Sequence, residues 1–465
     1  MRLGFSSLMF FLAFLYTNGV LASEVDAIVS VKKIHLEGNK VTKSSIILRE
    51  VTLREGDFIA EHKIFEQLQL TRSNIINTNL FLEVTVSHSI DLSQAADIFI
   101  NVKERWYWSV LPNLTLADRS FNEWWYERGK DLRRVTFGVD VRHSNSSGNA
   151  DPFTANIHFG FVPLVRFAYS RPYIDKKKRL GASASVFYSS QRNLSYRTWE
   201  DKLDFIRTIE TNYSRAGGAV EFRYRKKHNY FHTFHLGYSY NTISDSVATI
   251  NPEYFGDKSK AQSLFTFLYE YRIDYRDVRQ YPLSGNFFGA SVGQYLAIGG
   301  LNQTNLNVRY HHYLPLSKKL FLELGVRGKA SFPKEQSYFL VSGLGYGGNV
   351  ARGYELYVVD GQYFFLNKNT LKLKAFDKKF NIDWIIKKKQ FSTVPIAVYP
   401  NVFIDYAYVR NFYPDRSNSS LGNRHLLGGG AGIDVVTFYN VNLRAYYTLN
   451  QMWEKKLFFA ISREF

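Results

Sequence analysis

The sequence predicts a mainly β protein: a transmembrane antiparallel β-barrel of about 16 strands, preceded by one small α/β domain. Three observations predict it. Of 465 residues, 17% are aromatic, with 32 Tyr and 38 Phe against 11 Pro, a balance that favours strands. From Trp106 to Phe465 apolar and polar residues alternate in short runs, and helical spacing is confined to the chain before that. Beyond the N-terminus no segment approaches the roughly 18 consecutive apolar residues of a membrane helix. The mildly polar mean hydropathy of −0.25 suits strands that alternate between lipid and lumen.

Residues 1–22 combine Arg2, the apolar run Leu8–Tyr16 and the small-residue site Val20-Leu21-Ala22. They predict a secretory signal removed after Ala22 or Ser23. Its loss takes the formal charge from +18 to +17 (18 − 1, for Arg2). With no Cys in the chain, disulfides, thiolate metal sites and a Cys nucleophile are excluded.

Residues 24–105 read as strand, helix, helix, strand, strand. Ile28–Glu37 is the first strand, stopped by the turn pair Gly38-Asn39. Thr42 is expected to cap a short helix running through Arg49. Ala60–Asn77 carries Ile64, Phe65, Leu68, Ile75 and Ile76 at helical spacings, many of them on one face. Phe81–Ile90 and Ala96–Lys103 follow as strands around Asp91-Leu92-Ser93.

Residues 106–465 are strands throughout. Leu320, Leu322, Leu324 and Val326 alternate with Glu323, Arg327 and Lys329, and Phe265–Asp274 and Val441–Asn450 repeat the pattern. Alternation alone leaves open which face meets the interior. Length and number favour the inside-out arrangement, because segments of about 8 to 12 residues cross a bilayer at a tilt. An even count also returns both barrel ends to the side of the first domain. Long loops at 117–133, 192–216, 242–262, 332–360 and 409–424 fall on the outer side, and the charged insert 377–389 fits no strand.

One loop stands out. Gly343 to Gly361 reads GLGYGGNVARGYELYVVDG, a lone Arg352 between glycine-rich flanks. Glycines there permit close approaches that side chains would block, so this loop is expected to fold inward. A confined guanidinium needs a carboxylate partner. On the strand around Phe403-Ile404-Asp405, the residues Phe403, Asp405 and Ala407 share one face, and Val402, Ile404, Tyr406 and Tyr408 the other.

These pieces resemble the sixth-loop tip and facing strand of the BamA/TamA superfamily, outer-membrane barrels that insert or translocate proteins. Arg352-Gly353-Tyr354 matches the Arg-Gly-Phe/Tyr tip and Phe403-x-Asp405 the Phe-x-Asp strand, with Ala351 and Ala407 as departures from Val and Gly. Residues 24–105 resemble a single POTRA domain through Gly38-Asn39, Leu53-Arg54-Glu55-Gly56, Asn79-Leu80-Phe81 and Glu104. Asp274-Tyr275-Arg276-Asp277, with Pro282 and Gly285, resembles the superfamily's Asp-x-Arg-Asp turn. The final Leu457–Phe465 resembles the C-terminal signal of outer-membrane barrels.

The resemblance implies a bacterial outer-membrane barrel with its POTRA domain in the periplasm, inserting or translocating polypeptide without cofactor or metal. Its partners would be outer-membrane lipid, unfolded or nascent outer-membrane polypeptides, and accessory lipoproteins. A lateral seam would run between the first strand, holding Pro112, and the last, holding Phe459, Ile461 and Phe465. Proline has no N–H to give and is tolerated at a strand edge; the other reading places Pro112 near its strand's end. Alternatives within the fold are a dedicated transporter for one protein or lipid, a passive channel, and a structural or adhesive barrel. Enzyme readings lack residues: there is no Gly-x-Ser-x-Gly elbow and no His-Glu-x-x-His. The isoelectric point of about 9.6 reflects scattered cations that suit anionic lipid headgroups rather than nucleic acid.

Overall fold

The computed structural model describes residues 27–116, 121–300, 302–384, 392–437 and 441–463, so the signal segment and Phe465 lie outside it. The first module is a sheet of β1 (Ile28–Glu37), β2 (Phe58–Ala60), β3 (Phe81–Ile90) and β4 (Ala95–Glu104) in the order β2-β1-β4-β3, with β1 and β4 parallel. Helices α1 (Ser44–Leu48) and α2 (Glu61–Ile76) accompany it. Ile64, Leu68, Thr71 and Ile75 are the buried residues of α2, and the three aliphatic ones share a core with Val29, Ile98 and Ile100. Burying each such side chain is worth about 1.5–3 kcal/mol.

One residue of α2 falls off the shared face, and one expectation fails. Phe65 is 69% exposed, because it lies one residue, about 100° of helix, beyond Ile64. Thr42 caps nothing: α1 follows Lys43 without any side-chain cap. The Thr42 hydroxyl instead lies 2.6 Å from the Tyr107 hydroxyl and accepts from Asn145 Nδ2 at 3.0 Å. It is a joint between the module and the chain that follows. The three-residue β2 is too short to carry an alternation signal.

From Trp108 the chain is nearly all strand. It begins with β5 (Trp108–Leu116), β6 (Val135–His143), β7 (Phe153–Gly160), β8 (Leu164–Arg171) and β9 (Leu180–Gln191). A separate hairpin, β10 (Asn193–Trp199) and β11 (Lys202–Arg207), follows. Then come β12 (Tyr213–Tyr224), β13 (Tyr230–Ile243), β14 (Ala261–Asp274), β15 (Gly285–Ala297), β16 (Gln303–Pro315) and β17 (Leu320–Phe332). The last are β18 (Tyr363–Leu373), β19 (Phe376–Asn381), β20 (Thr393–Arg410), β21 (His425–Thr437), β22 (Val441–Asn450) and β23 (Lys455–Arg463).

These strands close into an antiparallel barrel in chain order, with β23 beside β5. Both β18 and β19 pair with β20, on successive stretches of it, so β19 prolongs β18 and the sheet counts 16 strands. The insert that fitted no strand therefore begins as β19. Side-chain direction settles the question that alternation left open. On β20, Val402 and Ile404 are 52% and 53% exposed outward while Asp405 is 0% exposed inward. Phe234, Leu236, Tyr238 and Tyr240 repeat the outward apolar row on β13. An apolar exterior around a polar interior suits hydrocarbon rather than water as the surrounding medium.

Candidate functional site

The sixth long-end loop runs from β17 to β18 and folds into the lumen. Its start is tied to β17, where Arg327 Nη1 donates to Gly348 O at 2.6 Å and Lys329 Nζ donates to Ser342 Oγ at 3.0 Å. Its tip reaches β18 and β20. Arg352 Nε donates to Asp405 Oδ2 at 2.9 Å and Nη2 to Oδ1 at 2.5 Å, a two-pronged pair that fixes orientation as well as charge. The Arg352 backbone N–H adds a third bond to Oδ2 at 2.9 Å. Nη1 also donates to Thr370 Oγ1 at 3.0 Å, and Nη2 to Asn369 O at 3.2 Å. Below lies the Phe403 ring, its centroid 4.0 Å from the guanidinium carbon, which adds a cation–π attraction.

Glycine decides how close this tip comes to the wall. Gly353 has φ +97°, which a side chain would strain. A Cβ on Gly428 of β21 would stand 2.0 Å from Arg352 O. Asn450 Nδ2 of β22 then donates to Gly353 O at 2.9 Å, and Tyr354 OH to Leu427 O at 3.2 Å. Thus Arg352, Gly353, Tyr354, Phe403 and Asp405 meet in one place. Lys368, which sequence reasoning missed, joins them with Nζ 3.7 Å from Asp405 Oδ2. It sits one strand away, and no local pattern marks it.

At the opposite end, the turn after β14 is built around Asp274. Arg276 Nε and Nη2 donate to its two oxygens at 2.8 and 2.9 Å, and Arg279 Nε lies 3.0 Å from Oδ2. Gly285 has φ +95°, and a Cβ there would lie 2.0 Å from Tyr275 O.

Comparison with known proteins agrees with this architecture. Residues 145–370 match the Omp85 superfamily domain, and residues 29–105 match POTRA, the surface antigen variable number repeat. The fold resembles BamA from Haemophilus ducreyi lacking POTRA domains 1–3 at 16% identity and TM-score 0.54, covering 93% of this chain and 84% of that one. It also resembles CdiB from Escherichia coli at 11% identity and TM-score 0.55, covering 93% and 76%. No curated protein matches by sequence. The matches support a barrel of the BamA/TamA type.

Its POTRA module is docked onto the near-end turns of the barrel. Arg225, in the turn after β12, donates from Nη1 and Nη2 to Glu50 Oε1 and Oε2 at 2.6 and 2.7 Å. Tyr173 OH donates to Glu50 Oε1 at 3.0 Å, and Arg49 Nε to Lys178 O at 2.8 Å. His228 Nε2 lies 3.0 Å from Arg49 O. Burial pushes the Glu50 carboxyl up, but the charge and hydrogen bonds of Arg225, with Arg49 and His228, outweigh it and hold it below its ordinary value. Burial holds His228 below its ordinary value; Glu50 opposes this, and Arg225 and Arg49 add to it. None of these residues was singled out from the sequence, since the partners lie on different modules far apart in the chain.

The first and last barrel strands, β5 and β23, are neighbours in the closed ring. Pro112 is in the middle of β5, opposite Val139 of β6, so the reading that put it near the strand end does not hold. Phe459 and Ile461 point outward, Ile461 with 76% exposure.

Proposed function

We propose that this barrel inserts or translocates polypeptide at a bacterial outer membrane, with the POTRA module in the periplasm receiving an extended client by strand addition and the β5–β23 seam as its route. At family level, outer-membrane insertion or translocation follows from the Omp85 and POTRA matches. The seam carries the finer reading. A barrel removes its edges only when its terminal strands pair fully, and on β23 the Phe459 peptide groups bond the Asn122 side chain instead of a strand. A passive channel is disfavoured, because the sixth loop folds into the lumen and is pinned at Arg352. The test is depletion of the protein followed by quantitative outer-membrane proteomics. Broad loss of barrels is the expected result. Loss of one protein would reassign it as a dedicated transporter, and an unchanged profile would refute both.

A further inference from the structure

We propose that the short helix α3 (Phe121–Tyr126) of the first loop is a built-in plug on the seam: a side-chain amide holds the open backbone edge of β23 until a client strand displaces it. This rests on the seam reading above and adds its control. Asn122 is 3% exposed. Its Nδ2 donates to Phe459 O at 3.1 Å, and its Oδ1 accepts from Phe459 N at 3.1 Å. A carboxamide offers one donor and one acceptor side by side, the pattern a neighbouring strand would present to the same peptide groups. Because the Phe459 N–H and C=O are taken by a side chain, no strand pairs with them at this position.

A second contact covers the same edge. Tyr126 OH donates to Leu457 O at 3.1 Å, and residues 457 and 459, two apart, turn their backbone groups to one side of the strand. The rings follow: Phe121 meets Phe459 edge-on at 6.4 Å, and Tyr126 meets Phe458 at 6.3 Å. A helix cannot continue a sheet, so α3 satisfies this stretch without extending the barrel. Client strand and plug compete for identical atoms and exclude each other.

The plug is also tied to the loops above the lumen. Arg128, just past α3, donates to Glu123 Oε1 at 2.8 Å and to Leu203 O of β11 at 3.0 Å. Lys202 Nζ donates to Glu127 Oε2 at 2.8 Å. The same hairpin meets the sixth loop, where Val358 N donates to Asp201 O at 2.8 Å. Release of α3 is therefore opposed by the β10–β11 hairpin, which also holds the sixth loop at Val358.

The test uses the full mature chain in proteoliposomes and two readouts. In Asn122→Ala, hydrogen exchange at the Phe459 amide should rise about tenfold or more, since its partner is gone, and insertion of a barrel client should speed up. The second variant, Phe121→Cys with Phe459→Cys, is joined by a short cleavable thiol cross-linker, with no native Cys to interfere. Cross-linking should stop insertion and cleavage should restore it. Unchanged Phe459 exchange in Asn122→Ala, or full insertion while cross-linked, would overturn the plug. If the unmodified protein inserts nothing, the seam reading fails by itself, and the Phe459 exchange still decides whether α3 holds the edge.

Discussion

Removing Arg352 tests what anchors the sixth loop. Asp405 is fully buried, and truncating its partner leaves a desolvated charge, which in general costs about 3–5 kcal/mol. Two groups soften that cost. Lys368 Nζ stands 3.7 Å away, and the residue-352 backbone N–H survives substitution. The lower figure, about 3 kcal/mol, is therefore expected, and it corresponds to more than about 100-fold in the opening equilibrium of the tip. Hydrogen exchange over residues 349–358 of Arg352→Ala should accelerate by that factor, while the barrel stays folded and heat-modifiable. Arg352→Lys should recover only part, because an ammonium cannot serve both Asp405 oxygens, Thr370 and Asn369 together. Asp405→Ala removes the stranded charge, so the double mutant should be less damaged than the sum, with a coupling of about 2 kcal/mol. Exchange within threefold of wild type and no coupling would refute the reasoning. The loop would then be held by the apolar contacts of Leu344, Ala351, Tyr354 and Val359.

Three further outcomes follow from the geometry. Gly428→Ala should expel the tip, since its Cβ would fall 2.0 Å from Arg352 O, and limited proteolysis within residues 333–362 should report it. Acid should loosen the POTRA docking. The lowered His228 stays neutral when docked, so its contribution is complete above about pH 6.5 and erodes as pH falls toward its docked pKa. The lowered Glu50 contributes above the ordinary carboxylate range and loses that contribution as pH falls through its docked pKa. Exchange over residues 44–52, corrected for its intrinsic pH dependence, should be faster at about pH 5.5 than at about pH 7.5; the reverse order would sink this. Deleting residues 24–105 should leave a heat-modifiable barrel without client handling, and undiminished client insertion would show the module to be dispensable.

What the sequence could reveal depended on how far apart the cooperating residues lie. A strand writes its two faces into adjacent residues, so the barrel strands and the inward row Phe403, Asp405 and Ala407 were legible from alternation. Which face met lipid was not, because alternation is symmetric between a soluble sandwich and its inverse. The tip was legible for another reason: a lone Arg in a glycine run and a lone acid on an apolar strand are each locally odd, and burial forces such charges to find each other. Glu50 and Arg225 obey the same rule yet stayed invisible, since charged residues near turns are ordinary until the docked module removes their water. Asn122 is harder still. An asparagine in a loop is unremarked by any periodicity, and its place is defined by an absence, a stretch of β23 that no strand covers. A local motif can show that a group is unusual, but only the assembled barrel shows which edge was left open for it.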